Sequence, residues 1–144
     1  MTALRPMVAA DAAIVADLAT QLGYPSSPDE VATRFAELRR RDDDEVFVAT
    51  DGEDSPIGWV HVARVASLES PPMAILGGLV VDETRRSSGV GAELLAAAEA
   101  WARDHGATKV IVRSRIERAR AHRFYERAGY VQIKLSHVFE KPLV

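Results

Sequence analysis

The sequence contains no cysteine. That absence excludes structural disulfides, thiolate metal sites and covalent catalysis through a cysteine nucleophile. Long apolar runs are also missing, because none approaches the roughly 20 residues that cross a bilayer. The N-terminal stretch is interrupted by Asp11 and Asp17 and lacks the basic and apolar regions of an export signal. We therefore expect a soluble, cytoplasmic protein with no membrane partner.

An excess of charge of one sign is the third absence. Lysine and arginine total 18 and aspartate and glutamate 21, which leaves a net charge of -3. General electrostatic attraction to nucleic acid is not expected at this balance. The 144 residues are 47% hydrophobic and 27% charged, the size and composition of one globular domain. No linker, repeat or low-complexity tract divides them, so we predict a single domain over residues 1–144.

Hydrophobic periodicity predicts the element order β-α-α-β-β-β-α-β-α-β-β. The helices are predicted at residues 11–22, 28–41, 89–105 and 117–128, and the strands at residues 4–8, 46–49, 57–62, 75–81, 110–112, 130–135 and 137–139. In the first helix, Ile14, Leu18 and Leu22 are predicted to form the buried stripe. Residues 42–44 are interpreted as a turn, and the glycines at 77 and 78 would allow a bend or bulge. The pattern is that of an α/β or α+β domain.

A candidate anion site lies in residues 79–95, where a buried strand runs through a polar turn into a helix. The first turn of a helix has unpaired N–H groups at the positive end of the dipole, and a phosphate can accept from several of them. Gly89 and Gly91 remove Cβ atoms that would hold a pyrophosphate away, and Arg85 and Arg86 add positive charge. A helix that merely begins with small residues is the alternative. Glycines there cost about 0.5–1 kcal/mol each relative to alanine, which favours a functional reason.

Two other phosphate motifs can be compared with this segment. A P-loop requires a lysine after its second glycine, and none follows Gly91. A dinucleotide fingerprint requires a third glycine where Leu94 stands, and an acid near the end of the next strand, where Arg113 stands. The P-loop is excluded and the dinucleotide motif is disfavoured.

The run Arg86-Ser87-Ser88-Gly89-Val90-Gly91 matches R-x-x-G-x-G and resembles the acyl-CoA pyrophosphate loop of the GCN5-related N-acetyltransferases, the GNAT family. Residues 121–130, AHRFYERAGY, resemble the A-x-x-F-Y-x-x-x-G-[FY] helix and strand of that family. The element order is similar along the whole chain. The resemblance implies a GNAT-like mixed, mostly antiparallel twisted sheet of about seven strands, in which the fourth and fifth strands are splayed.

The resemblance also implies site residues and an acetyl-CoA co-substrate. Backbone groups of Leu79 and Val81 would contact the pantetheine arm. Tyr125 would protonate the departing thiolate, since tyrosine phenols ordinarily keep their proton up to a pKa near 10. Its alternative role is aromatic packing beside Phe124. Tyr24, at the corner between the first two helices, would face the acceptor. The pyrophosphate would be held by Arg86, Ser87, Ser88, Gly89, Val90, Gly91 and Ala92.

One departure from the family pattern concerns the general base. Relatives often have a glutamate in the fourth strand, but residues 73–81 contain no acid and Ile75 occupies the corresponding place. The base is therefore unassigned, and any of the candidates is more often a surface or turn residue: Glu69, Asp82, His61 and His137. The four histidines lack the spacing of metal-binding motifs, so we predict no metal.

The densest basic cluster lies between residues 113 and 127. Its arginines are interpreted as a solvated face, with contact to the 3'-phosphate of coenzyme A as the functional alternative for one or two of them. Nucleic acid is not expected as a partner, since Glu117 and Glu126 interrupt the cluster. The arginines are Arg113, Arg115, Arg118, Arg120, Arg123 and Arg127.

These observations predict an acetyl-CoA-dependent N-acetyltransferase that acts by direct attack of a primary amine, without an acyl-enzyme. The acceptor would be a small molecule such as an amino sugar, an aminoglycoside, a polyamine or an amino-acid derivative. Pairing of two subunits into a homodimer through the final strands is left open. Two other classes are also considered: an acyl-CoA-binding sensor with little turnover, suggested by the missing acid, and an interaction protein whose arginines bind an acidic partner.

Overall fold

The computed structural model describes residues 2–86, 88–113 and 119–144. The chain forms two compact units, residues 1–113 and residues 114–144. The first unit contains a five-stranded sheet in the order β1-β2-β3-β4-β5. Its strands are β1 (Ala3–Pro6), β2 (Asp44–Thr50), β3 (Pro56–Val65), β4 (Met73–Val81) and β5 (Val110–Val112). Its helices are α1 (Ala12–Leu22), α2 (Pro28–Arg39) and α3 (Val90–Asp104), and the second unit contains α4 (Ala119–Arg127).

The sheet is mixed and mostly antiparallel, as predicted. β1, β2, β3 and β4 pair antiparallel, and β5 joins β4 in parallel. β2 and β3 form a hairpin, and Asp51 accepts hydrogen bonds from the backbone N–H groups of Glu53 and Ser55 inside its turn. β2 begins at Asp44. The interpretation of Asp44 as a turn residue was therefore wrong, because its backbone pairs with Ala63 of β3.

A β-bulge interrupts β4 where the sequence has two adjacent glycines. His61 of β3 pairs with Gly78 and Val62 pairs with Leu76, so Gly77 is the extra residue. The prediction that these glycines allow a bulge is confirmed. The bulge changes which edge of β4 the following backbone groups face, and this determines the geometry of the site described below.

Helices cover both faces of the sheet. Gly58 of β3 faces Leu94 of α3, while Trp59 beside it packs against the core formed with α1 and α2. One face of α3 packs on the sheet, with six buried side chains: Val90, Leu94, Leu95, Ala98, Trp101 and Ala102. On α2, Phe35 is buried in the cluster that includes Val15 and Val48, and Val31 and Leu38 pack against that cluster.

The buried stripe of α1 differs from the prediction. Ile14 is 36% exposed, whereas Val15, Leu18 and Ala19 are buried. The prediction followed an i, i+4, i+8 series starting at Ile14, but the side chains at i, i+3 and i+4 from Val15 form the helix face that meets the sheet. Leu18 is buried as predicted and Leu22 is half-buried. The buried face is therefore rotated away from Ile14 and towards Val15 and Ala19.

The two final strands predicted at residues 130–135 and 137–139 are a further correction. Among the described residues the sheet has five strands, and residues 130–144 contain none. The alternating apolar side chains of this segment are exposed, from 70% at Ile133 to 91% at Phe139. Alternation predicts strand propensity only, and a strand also needs a partner that satisfies its backbone hydrogen bonds. No helix in the described part of the chain is long and apolar enough to cross a membrane.

Candidate functional site

One edge of β4 is covered by β5 over a short length only. The parallel pairing joins residues 74–76 of β4 to residues 110–112 of β5. Within the described chain, residues 77–81 have no strand partner on this edge. An uncovered strand edge presents N–H and C=O groups to which an extended molecule can bind.

The bulge sets which residues face that edge, since backbone groups of successive strand residues point to alternate edges. Before the bulge, Ala74 N–H donates to Lys109 O, one residue ahead of β5, at a distance of 2.9 Å. The even-numbered residues in this part of β4 therefore face β5. Beyond it, Asp82 N–H donates to Ile57 O at 2.8 Å, on the β3 side. The alternation is therefore reversed, and the backbone groups of Leu79 and Val81 face the uncovered edge.

The predicted phosphate loop follows β4 directly. A short 3-10 turn (Glu83–Arg85) begins where Asp82 accepts hydrogen bonds from Thr84 N and Thr84 Oγ1, both at 3.0 Å. Gly89 then takes a left-handed conformation, with φ of +88°, at the N-cap of α3. Glycine adopts this conformation without the steric penalty of other residues.

The first turn of α3 has no side-chain cap, because Gly89 has no side chain to accept from it. Nothing lies within 4 Å of the point where a Cβ on Gly89 would be. Arg86, Ser88 and Ala92 are exposed, Gly91 is half-buried, and the buried Val90 fixes the helix to the core. Ser88 Oγ donates to Arg85 O and so holds the loop locally. This arrangement can present several N–H donors to an anion.

The carboxylate of Asp82 is poorly suited to accept a proton near neutral pH. Hydrogen bonds from Thr84, followed by the charges of Arg85 and Arg86, hold the pKa of its carboxyl below the usual range. A carboxylate with a lowered pKa is a weak base. The hydrogen bonds of Asp82 are those of a cap for the turn.

A cavity of about 220 Å³ opens between α1, α2 and the β3–β4 pair. Its wall is mostly apolar and includes Val15, Leu22, Phe35 and Leu38, which continue the core. The residues of that wall with polar groups are Tyr24, Ser26, Arg34, Trp59 and His61. Gly77 of the bulge completes the lining, so the cavity reaches the bulge of β4.

His61 stands at the bulge end of the cavity and is held by an acid. Its Nε2 lies 2.8 Å from Asp44 Oδ2, and the side chains of His61 and Asp44 are 24% and 4% exposed. Because an ionised carboxylate only accepts hydrogen bonds, Nε2 carries the proton in the neutral ring and Nδ1 keeps its lone pair. Arg41 Nε lies 2.9 Å from Asp44 Oδ1 as an ion pair, without the alignment of a hydrogen bond.

Both glycines of the bulge lie beneath side chains of β3. A Cβ on Gly77 would stand 2.5 Å from His61 Nδ1, and one on Gly78 would stand 2.7 Å from Trp59 Cη2. The missing Cβ atoms therefore provide the space that the imidazole and the indole occupy. Trp59 Nε1 is buried and has no hydrogen-bond partner in the part of the chain described here, so the cavity wall includes an unsatisfied donor.

Tyr24 follows the end of α1, as predicted. Gly23, with φ of +104°, ends the helix, and Tyr24 N–H donates to Ala19 O at 3.0 Å. This backbone geometry turns the chain towards α2 and brings the Tyr24 ring, 54% exposed, to the cavity.

Tyr125 lies on α4 in the second unit. Its ring is half-buried and makes edge contacts with Phe124 and Tyr130, with centroid distances of 5.1 and 5.7 Å. Gly129, with φ of +94°, ends α4, and Tyr130 N–H donates back to Tyr125 O at 2.9 Å. The F-Y-x-x-x-G-Y motif thus forms a helix, its C-terminal cap and an aromatic cluster.

The predicted site residues fall into three groups. The first unit contains Leu79 and Val81 on β4, Arg86, Ser88 and Gly89 before α3, Val90, Gly91 and Ala92 in the first turn of α3, and Tyr24 at the cavity. Tyr125 is described within the second unit by itself. Ser87, Arg115 and Arg118 lie outside the described residues.

Sequence reasoning missed Trp59 and the link between His61 and Asp44. The register of the β2–β3 hairpin predicts the second of these contacts. Val46 pairs with His61, and Asp44 lies two residues from Val46 on the same face of β2. Of the other candidate bases, Glu69 is exposed in the loop before β4, and His137 lies in the second unit. The described chain contains no cluster of three or more residues suited to hold a metal, and the absence of a metal stays a prediction.

Comparison with known proteins agrees with the resemblance. Residues 12–130 match the family described as the acetyltransferase (GNAT) family. The chain is 31% identical over 144 residues to aminoglycoside N(6')-acetyltransferase type 1 of Stenotrophomonas maltophilia, covering 97% of this chain and 93% of that relative.

Two solved structures share the fold. AAC(6')-Iy, solved in complex with a bisubstrate analogue, gives a TM-score of 0.86 at 20% identity and covers 99% of both chains. An aminoglycoside antibiotic 6'-N-acetyltransferase from Acinetobacter baumannii gives 0.85 at 18% identity and covers 100% of both. The fold is therefore α+β and GNAT-like. The chain belongs to the GNAT family and is an acetyl-CoA-dependent N-acetyltransferase.

Proposed function

We propose that the acceptor is a primary amine of a small molecule, with an aminoglycoside or another amino sugar as the first candidate. The observation that supports this most strongly is the relationship to the Stenotrophomonas aminoglycoside acetyltransferase over nearly the full length of both chains. A polyamine or an amino-acid derivative remains the alternative acceptor. The proposed acceptor site is the cavity beside the β4 bulge, with Tyr24 on its wall.

The proposed acetyl-CoA site runs along the first unit. Leu79 and Val81 would donate to and accept from the pantetheine arm, because their backbone groups face the edge that β5 leaves uncovered. The pyrophosphate would lie at the start of α3 and accept hydrogen bonds from the loop of Arg86, Ser87, Ser88, Gly89, Val90, Gly91 and Ala92. The left-handed Gly89 and the open space over it support close approach of a phosphate.

The proposed reaction is a direct transfer. The neutral amine attacks the thioester carbon, the C–N bond forms, and the C–S bond breaks with its electron pair staying on sulfur. The nitrogen then loses one proton to solvent, and solvent returns a proton to the Tyr125 phenolate after the thiol has formed. Tyr125 is proposed to give its phenolic proton to that sulfur, which makes the thiol a better leaving group. Backbone N–H groups of β4 are proposed to stabilise the charge that develops on the carbonyl oxygen. This chain has no cysteine to form an acyl-enzyme.

Two further proposals concern the whole chain. We propose that residues 1–144 work as one domain, because the family match runs from residue 12 to residue 130 and so spans both units. We also propose a homodimer in which residues 130–139 form strands on association. The exposed Val131, Ile133 and Leu135 alternate as a half-buried strand would, and a second copy would supply the missing partner.

The experiment that tests the function measures thiol release from acetyl-CoA with a panel of amines. The panel contains an aminoglycoside, glucosamine, spermidine and an amino-acid amide, and Tyr125→Phe is assayed in parallel. We expect acceleration above hydrolysis with the aminoglycoside or glucosamine. The variant should lose about 100- to 10,000-fold in kcat, because an acid catalyst typically contributes in this range.

Other outcomes would contradict specific parts of the proposal. Release with spermidine alone would exclude the amino-sugar acceptor. Acetyl-CoA binding without release for any amine would favour the sensor. Full activity of Tyr125→Phe would exclude Tyr125 as the acid and leave the acceptor assignment intact.

A further inference from the structure

We propose that His61 is the general base that takes a proton from the acceptor's ammonium group, and that Asp44 is its positioning residue. This inference rests on the proposed function, because it takes the cavity beside the bulge as the acceptor site. An alkyl amine is mostly protonated near neutral pH, and its nitrogen can attack only after losing a proton. The reaction therefore needs a proton acceptor within reach of the amine.

The fourth strand does not supply that group. Met73–Val81 contains no acid, and the nearest carboxylate after it, Asp82, is occupied by two hydrogen bonds from Thr84. The same hydrogen bonds lower the pKa of the Asp82 carboxyl, which makes it a weaker base. Glu69 is exposed in a loop and does not line the cavity. Among the described side chains of the cavity wall, the neutral imidazole of His61 has a nitrogen lone pair that can accept a proton, whereas the guanidinium of Arg34 has none.

The orientation of His61 suits the role. Asp44 Oδ2 lies 2.8 Å from Nε2 and fixes the ring with that nitrogen protonated, which leaves the lone pair on Nδ1. Nδ1 has no hydrogen-bond partner among the described residues and lies over Gly77 at the bulge. The same bulge turns Leu79 and Val81 to the proposed thioester edge. The base thus stands beside the strand along which the acyl donor is proposed to lie.

Gly77 makes this arrangement sterically feasible. Any other residue there would place its Cβ 2.5 Å from Nδ1, a distance that real Cβ contacts do not show, so the ring would have to move. Asp44, 4% exposed, keeps the ring from turning away from the bulge. Two features of separate strands, an acid on β2 and a missing side chain on β4, therefore converge on one imidazole.

The proton balance is simple. An N–H bond of the ammonium group breaks with its electron pair staying on nitrogen, and the proton moves to His61 Nδ1, directly or through one water. The resulting imidazolium is stabilised by the carboxylate of Asp44. The freed lone pair then forms the C–N bond, and His61 returns its proton to solvent after the transfer. No other reactant is needed.

The charged and titratable groups around His61 are few. Asp44 faces it from β2, with Arg41 beside that carboxylate from the end of α2. Tyr24 and Arg34 line the same cavity from the α1–α2 side. Arg34 itself is 62% exposed and lies 3.7 Å from Glu30, so its charge is partly compensated.

The test compares the wild type with His61→Gln, using kcat/KM for the amine from about pH 6 to about pH 10, across the titration of alkyl amines. Near neutral pH we expect the variant to lose about 100-fold or more, as is typical when a general base is removed. The loss should shrink towards high pH, where the amine arrives neutral. It should likewise shrink across a series of less basic amines at one pH. Asp44→Asn should also lose kcat/KM near neutral pH and recover towards high pH, but its loss should be smaller than that of His61→Gln.

The matched control is His105→Gln. His105 lies at the end of α3, with Nδ1 2.8 Å from Trp101 O and its ring stacked on Trp101, away from the cavity wall. We expect its pH profile to follow the wild type. Calorimetry with coenzyme A should give the same affinity for all three variants, which separates catalysis from folding.

Three results would overturn the assignment. Equal activity of His61→Gln and wild type would place the base elsewhere. A loss that is constant across pH and across the amine series would indicate a structural role only. If the wild type itself releases no thiol with any amine, the proposed function fails first, and the assignment of His61 fails with it. That outcome is seen in the wild type before any variant is compared.

Discussion

Two pairs of glycines flank the turn between β4 and α3, and they differ in what surrounds them. Gly77 and Gly78 lie under the side chains of His61 and Trp59, which occupy the space that their Cβ atoms would take. Gly89 has nothing within 4 Å of its Cβ position and has a left-handed backbone. Glycine is required at positions 77 and 78 because neighbouring side chains fill the space where a Cβ would be. In the second pair, Gly89 needs its left-handed backbone conformation and leaves its surface open.

This difference separates the two halves of the proposed reaction. Space filled by a histidine and a tryptophan belongs to a site that orients side chains, which is what the attacking amine needs. Open backbone at a helix start belongs to a site that binds an anion, which is what coenzyme A offers. Substitution at the first pair should therefore impair turnover, and substitution at the second should impair coenzyme A affinity.

The largest effect is expected for Gly77→Ala. Its Cβ would collide with His61 Nδ1, so the imidazole should be displaced from the bulge. We expect kcat/KM for the amine to fall about 100-fold near neutral pH, as for loss of the base, while the Kd of coenzyme A stays within about threefold, or less than 1 kcal/mol. Stopped-flow thiol release and calorimetry would measure both.

The control for this substitution is Gly52→Ala in the β2–β3 turn. No atom lies within 4 Å of its Cβ position, so the variant should be silent in both assays. Wild-type turnover by Gly77→Ala would show that the position of the imidazole is not needed, and the contrast between the two glycine pairs would no longer hold.

Gly78→Ala should have the next largest effect. Its Cβ would stand 2.7 Å from Trp59 Cη2, and displacing the indole overpacks the core by an expected cost of about 1–3 kcal/mol. Urea unfolding would measure the loss, and the acceptor KM should rise because Trp59 lines the cavity.

Gly58→Ala is the comparison for that loss. Its Cβ would meet Val80 O at 2.9 Å and Leu94 Cδ1 at 3.1 Å, on the face covered by α3. It should destabilise the fold by a similar amount with the acceptor KM unchanged. An equal rise in KM for both variants would attribute the effect to general destabilisation rather than to Trp59.

The contrast also indicates how far the sequence could predict the molecule. The apolar stripe of α3 and the β2–β3 hairpin follow from local patterns, because each repeats the period of its own structure. The bulge in β4 could also be predicted locally, because two adjacent glycines allow the strand to bend. The rotated face of α1 and the missing strands at residues 130–139 depended on which partner surface each segment meets, and periodicity does not contain that information.

The site divides in the same way. The loop at Gly89 could be recognised as a motif, since its residues are adjacent in sequence. The link between His61 and Asp44 joins residues 17 apart, and it depends on the hairpin register and on Asp44 belonging to β2. Interpreting residues 42–44 as a turn removed that acid from the strand face, so the base could not be assigned.

Gly89→Ala is expected to act on coenzyme A binding. An L-residue in the left-handed conformation costs about 1–2 kcal/mol, and either this cost or a retracted loop should weaken coenzyme A binding about tenfold, or 1.4 kcal/mol. The kcat at saturating acetyl-CoA should change little. Gly106→Ala is the matched control, because Gly106 also has a positive φ, of +80°, and open space beside it at the end of α3. It should lose similar stability with coenzyme A affinity unchanged, and equal weakening in both would argue against the loop as the anion site.

The smallest effect is expected at Asp82, which caps the turn between the two glycine pairs. Its pKa is lowered by the hydrogen bonds from Thr84, so the folded state binds this proton less tightly than the unfolded chain does. The stabilisation is therefore present at neutral pH and is lost as the pH falls below the unfolded value of about 3.9.

Asp82→Ala should reduce the free energy of unfolding by about 0.5–1 kcal/mol at pH 7, the usual value of a cap. Urea unfolding from neutral to acid pH should show the gap to wild type closing. Asp82→Asn keeps the acceptor oxygen but lacks the charge, so it should retain only part of the neutral-pH stability. A gap that stays constant with pH would show that the contribution of Asp82 does not come from its charge.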